Sequence, residues 1–146
     1  MTMNKADFIK LLDHSVIEAA IARAESVTSG EIRVAVIHEP TDNPVARAKE
    51  IFVRMGMTKT KHRNAVLILV APSSQTFAVI GDEGVHQKCG PSFWVDLAGT
   101  VTGSFKLGNY TAGLIEGINR AGSLLAAHFP REAGDANELP DAIIRP

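Results

Sequence analysis

Apolar and polar positions alternate along this chain in blocks that read as helix, strand and turn. The densest block is Ala65 to Ala71, seven apolar residues in a row, followed by Thr76 to Ile80, a second short run rich in β-formers. Pro72, Ser73, Ser74 and Gln75 separate them and predict a turn. Two short apolar runs joined so tightly predict antiparallel neighbours, with Asn64 and Asp82 at the same open end of the hairpin. Upstream, Glu31 to His38 predicts a first strand centred on Val34 to Ile37. Between the first strand and the hairpin, Asn43 as N-cap and Pro44 at the first helical position open a helix with Ala48, Ile51, Phe52 and Met55 inward. Gly56 stops it. A helix of that length carries a right-handed crossover, so the first and second strands are expected to be parallel.

The flanks read as helices. Residues 7–12 form a short helical piece. Ser15, Val16, Ile17 and Glu18 match a capping box for a second helix with Ile17, Ala20, Ile21 and Ala24 on one stripe. After Asp82, Glu83 and Gly84, Pro91 opens a helix carrying Trp94, Leu97, Ala98, Val101 and Phe105. A last helix over residues 111–129 aligns Leu114, Ile118, Ala121, Leu125 and His128, the histidine as a packed residue. The pairs Gly99/Gly103 and Gly113/Gly117 predict close packing of these helices on the sheet or on each other. The order predicts an α/β fold, a three-layer α/β/α sandwich with a small mixed β-sheet, over residues 1–130. Residues 131–146 read as a polar C-terminal tail.

Composition narrows the function classes. The 146 residues give a formal charge of −1, with no electrostatic footprint for nucleic acid or an anionic membrane. The single Cys89 excludes an internal disulfide and has no evident base beside it. No apolar run approaches the ~18 residues of a membrane span, and the N-terminus lacks an apolar leader, so a cytoplasmic protein without membrane insertion is expected. The five histidines show no ligand spacing for zinc. Residues 135–141 lack the glycine and glutamate of an EF-hand.

The predicted topology brings Glu31, Asn64, Asp82 and Glu83 to one sheet edge. Carboxylates, an amide oxygen and backbone carbonyls form a hard-oxygen set suited to Ca²⁺ or Mg²⁺. The competing reading is a row of solvated strand ends, with Glu31 or Asp82 paired to Arg33 or Arg63. Lys59, Lys61, His62 and Arg63 form a small basic loop, and Arg63 and Arg33 are the candidates to hold a phosphoryl charge. A third expectation is a non-enzymatic module that docks on a protein partner through its basic loop and tail.

The chain resembles the TPM domain family. The resemblance rests on Thr28-Ser29-Gly30-Glu31-Ile32-Arg33-Val34, a helix ending in Ile51-Phe52, Arg63-Asn64 leading into residues 65–70, Phe77-Ala78-Val79-Ile80-Gly81-Asp82, and Gly108-Asn109-Tyr110 before Gly113-Leu114. It covers residues 15–129. It implies an α/β/α sandwich, and relatives that include bacterial proteins and thylakoid-lumen proteins of photosystem II repair. It also implies acid phosphatase activity on phosphate esters in some members and Ca²⁺ binding in others. Where the family pattern has an acid just before the second strand, this chain has Asn64.

Overall fold

The computed structural model describes residues 3–132 and 141–146; residues 133–140, half of the expected tail, lie outside the described residues. Three strands form one mixed sheet in the order β1-β2-β3: β1 (Glu31–Val36), β2 (Ala65–Ala71) and β3 (Thr76–Gly81). β1 and β2 are parallel with Glu31 opposite Ala65, and β2 and β3 are antiparallel with Val66 opposite Gly81. Every residue of β2 is buried, which is why its run is unbroken by polar positions: it is the central strand, covered on both faces.

One face is closed by α3 (Pro44–Arg54), whose Ala48, Ile51 and Phe52 pack with Ala35, Leu67, Leu69 and Ala78. The other is closed by α2 (His14–Glu25), α5 (Pro91–Lys106) and α6 (Tyr110–His128), which meet Ile32, Val34, Val66, Ile68 and Val79. Two short helices, α1 (Lys5–Leu11) and α4 (Glu83–Cys89), complete the α/β sandwich. Among the described residues no helix is long and apolar enough to cross a membrane.

Local signals set most boundaries, with three differences from expectation. The second helix begins at His14, because the Asp13 carboxylate takes the Val16 N–H at 3.2 Å as its N-cap, two residues ahead of Ser15. His128 is exposed, and its neighbour Phe129 is the residue that meets the core at this end of the helix. The two glycine pairs part company. A Cβ at Gly113 would press on Phe105, and one at Gly117 on Val101, so these serve the α5–α6 contact. Gly99 and Gly103 face open space. Gly122 was not singled out, yet a Cβ there would come within 2.8 Å of Ala24, so it lets α6 lie close against α2.

The far end of the chain returns to the sheet. Ile144 forms a parallel bridge with Ala35: its N–H donates to Val34 O at 2.8 Å and its carbonyl accepts from Val36 N at 3.0 Å. Ile143 and Ile144 are both buried, the first in the α2/α6 core and the second in the α3 core.

Candidate functional site

The N-terminal ends of β1 and β2 and the C-terminal end of β3 lie side by side. Glu31 stands opposite Ala65, and the Asp82 N–H donates to Ala65 O at 2.9 Å. Alternation places Glu31, Ala65 and Asp82 toward the α3 face, with the small Ala65 between two acids whose backbones are two strand spacings, roughly 10 Å, apart. Asn64 is fully buried just before β2. Its N–H donates to Thr60 Oγ1 at 3.2 Å and its Nδ2 to Ser29 Oγ at 3.2 Å. Its Oδ1 is buried with no hydrogen-bond partner among the described residues.

Asp82 is occupied. Both carboxylate oxygens receive the Arg63 guanidinium, Nε to Oδ2 at 2.7 Å and Nη2 to Oδ1 at 2.8 Å, and Oδ1 also accepts from the Glu83 N–H at 2.8 Å as the N-cap of α4. The Asp82 carboxylate holds the Arg63 guanidinium above its ordinary pKa. Exposed Glu83 adds a looser contact, Oε1 to Arg63 Nη1 at 3.4 Å. Arg63 sits at φ 52, and the Gly84 N–H donates back to Arg63 O at 3.0 Å. A side chain at Gly84 would collide with the carbonyl oxygens of His62 and Arg63, so the glycine is what lets α4 start against this loop. Arg63, expected to hold a phosphoryl charge, thus spends its fork on Asp82 and Glu83.

Glu31 belongs to a second group that the sequence did not reveal. Glu25, in the last turn of α2 and 1% exposed, reaches round the open edge of β1, where its Oε2 accepts from Ile32 N at 2.9 Å. Burial, followed by hydrogen bonds with Asp141 and Glu31, pushes its carboxyl up to about 11, and the single backbone donor offsets only part of this. At neutral pH Glu25 is therefore the protonated partner of the group. An anion at a helix C-terminus is disfavoured as well, which acts in the same direction. Arg33 stands nearby on β1. Desolvation lowers its pKa against the attraction of Glu25 and Asp141, and its Nε is buried with no hydrogen-bond partner among the described residues.

The expected site residues therefore fall in two places. Glu31, Asn64 and Arg33 lie at the β1–β2 end with Glu25 and Asp141; Asp82, Glu83 and Arg63 form an ion-paired cap at the β3 end. Glu25 had a signal in the sequence: it continues the apolar stripe of Ile17 and Ile21, an acid where an aliphatic residue belongs. Asp141 had none, because its partners are more than a hundred residues away. Among the described residues no three His, Cys, Asp or Glu side chains already stand in a metal-holding arrangement. A surface groove of about 430 Å³ lies elsewhere, between α5 and α6 around Phe93, Glu116 and Arg120. Burial raises the Cys89 thiol, in keeping with an inert cysteine.

Comparison with known proteins adds four findings. The chain is similar to the solution structure of the BA42 protein from the psychrophilic bacterium Bizionia argentinensis, at 38% identity over 91% of this chain and 92% of that one, with a TM-score of 0.83. It shares its fold with the N-terminal domain of a protein from P. gingivalis, at 18% identity over 81% of this chain and 78% of that one, with a TM-score of 0.64. No curated protein matches it. The family model of the TPM domain matches residues 2–124, and the chain belongs to the TPM domain family.

Proposed function

We propose that this TPM domain binds a divalent cation, Ca²⁺ or Mg²⁺, at the β1–β2 end of the sheet. The observation that carries the reading is a surplus of buried acceptor oxygens. Asn64 Oδ1 is buried without a donor, beside a strand end where the carboxyls of Glu25, Glu31 and Asp141 are drawn together. Without a cation, that group is held together by a proton on Glu25. A hard cation replaces the proton, and oxygen-only donors suit Ca²⁺ and Mg²⁺ over softer metals. Glu31 and Asn64 remain the central ligands of this reading, with Glu25 and Asp141 added. Asp82 and Glu83 join only if Arg63 releases them. Phosphate-ester hydrolysis is the weaker reading, because Arg63, one of the two arginines expected to meet a phosphoryl group, is held bidentately by Asp82.

The test is a thermal melt in EDTA and in excess Ca²⁺ or Mg²⁺. A cation at ~100 times its Kd adds about 2.7 kcal/mol to the native state. Wild type should gain this, and Glu31→Gln and Asn64→Ala should lose the gain. Equal melting temperatures of wild type in EDTA and in saturating cation would remove the proposal.

A further inference from the structure

We propose that the outer edge of β1 is a docking site for an extended protein segment running parallel to it. The segment carries two consecutive aliphatic residues, with an acid three positions before the second of them. The chain's own residues 141–146 are the resident occupant, and a partner segment of the same chemistry replaces them.

The argument begins with the strand's spare bonding groups. β1 is an edge strand, and in a parallel pair its alternate residues turn their N–H and C=O toward β2. Glu31 N donates to Asn64 O and Ile37 N to Val70 O, so the odd-numbered residues face inward across the sheet. Ile32, Val34 and Val36 face out. The Ile32 N–H is taken by Glu25, and Val34 O and Val36 N are taken by the two backbone groups of Ile144. An edge strand with outward groups is the standard receptor for strand addition, in which the main chain supplies affinity and alternate side-chain pockets supply selectivity.

Here the pockets are explicit. Consecutive residues of an extended segment point to opposite faces. Accordingly Ile143 drops into the α2/α6 core and Ile144 into the α3 core, each less than a tenth exposed. Three residues before Ile144, Asp141 meets the Glu25 carboxyl and the field of Arg33. These three contacts define the sequence that the edge reads.

The resident segment is held weakly at its end. Its ladder is a single bridge, and it cannot lengthen toward Val36 O, because the residue that would donate is Pro146, which has no N–H. Pro146 is fastened instead by its carbonyl, which accepts from Lys5 Nζ at 3.2 Å. A partner segment with any residue but proline at that position makes one more ladder bond than the chain makes with itself.

The experiment uses the whole folded chain with a specific protease site introduced between residues 132 and 141. After cleavage of the folded protein, a fluorescein-labelled synthetic peptide Asp-Ala-Ile-Ile-Arg-Pro is added and its anisotropy followed. The peptide should exchange with the cleaved segment and bind saturably, and the intact chain should bind it at least about tenfold more weakly, its own segment being tethered. Replacing either isoleucine of the peptide by Asp should weaken binding at least about tenfold. Replacing the final proline by valine should strengthen it. Exchange is read without removing the resident segment, so the protein is never left with an empty edge. No anisotropy change with the cleaved protein, or equal binding of the Asp-substituted peptides, overturns the proposal. A dimer of the intact chain that the peptide disperses would make a second copy the occupant and overturn the partner-segment reading.

Discussion

Replacing Glu25 by glutamine changes one proton, and the structure fixes the sign of the effect. The folded pKa is raised, from the ordinary 4.5 to about 11. The native state therefore holds a proton that the unfolded chain releases. The associated stabilisation is complete below pH 4.5 and is lost as pH rises toward 11. At pH 7 the native protein has taken up that proton about 7 − 4.5 = 2.5 pH units above the unfolded pKa. At 1.36 kcal/mol per unit this costs about 3 kcal/mol. Glutamine carries its donor hydrogens permanently. It offers an amide N–H to Asp141 or Glu31 while its oxygen still accepts from Ile32 N. Glu25→Gln should then be more stable than wild type at pH 7 in EDTA by up to about 3 kcal/mol, a rise in Tm of roughly 6–12 °C for a chain of this size. The two proteins should converge toward pH 4.5, because wild type regains stability as it becomes fully protonated. Melts at pH 5, 7 and 9 read both the offset and the slope. Repeating them in Ca²⁺ separates proton from cation, since the variant should forgo stabilisation by the metal. A Glu25→Gln protein less stable than wild type at pH 7 in EDTA, or one with the same pH slope, would refute the assignment of the proton to this carboxyl.

Two further substitutions probe the rest of the framework. Asp82→Asn should lower stability in EDTA, because it removes the charge facing Arg63 while keeping an oxygen for the Glu83 N–H; Asp82→Ala should cost about 1 kcal/mol more through the lost cap, as read by urea melts. A more stable Asp82→Asn protein in EDTA would mean that the Arg63 pair does not hold this end of the sheet. On the helices, Gly103→Ala should stabilise by about 0.5–1 kcal/mol, since its Cβ enters open space, and Gly122→Ala should destabilise by pushing α6 off Ala24. Shifts of the same sign for both would break the distinction between open and packed glycines.

What could be read from the residues follows the range of the interactions. The unbroken apolar run of β2, the turn after it and the Asn43-Pro44 start of α3 are local signals, and together they imply the parallel and antiparallel pairings found. The convergence of Glu31, Asn64 and Asp82 at one end follows from those pairings by geometry alone. The partners of those residues do not follow. Asp82 meets Arg63 across nineteen positions, and either it or a cation was compatible with the spacing. Glu25 carries a charge, which hides it in a search for core positions, although its place on the Ile17–Ile21 stripe marks it as inward. The return of Ile144 to β1 was illegible, because two isoleucines in a polar stretch make no periodic pattern. Gly99 and Gly103 misled for a related reason: spacing says that two small residues share a helix face, and cannot say which face the neighbours occupy.

The bridge between Ala35 and Ile144 also has a consequence for how the molecule is made. A chain synthesised from its N-terminus completes β1 early, yet Ile144, which bridges to its outer side at Ala35, leaves the ribosome more than a hundred residues later. Contacts between such distant positions form late in any case, since the intervening loop must close first. Over that interval the edge would be open, and open edges invite pairing with other nascent chains. Glu25 stands only seven positions from Ile32, so its hydrogen bond to that N–H can form as soon as both have emerged. The same carboxyl that organises the acid group would then act as a guard on the growing chain, blunting the strand until Ile144 arrives.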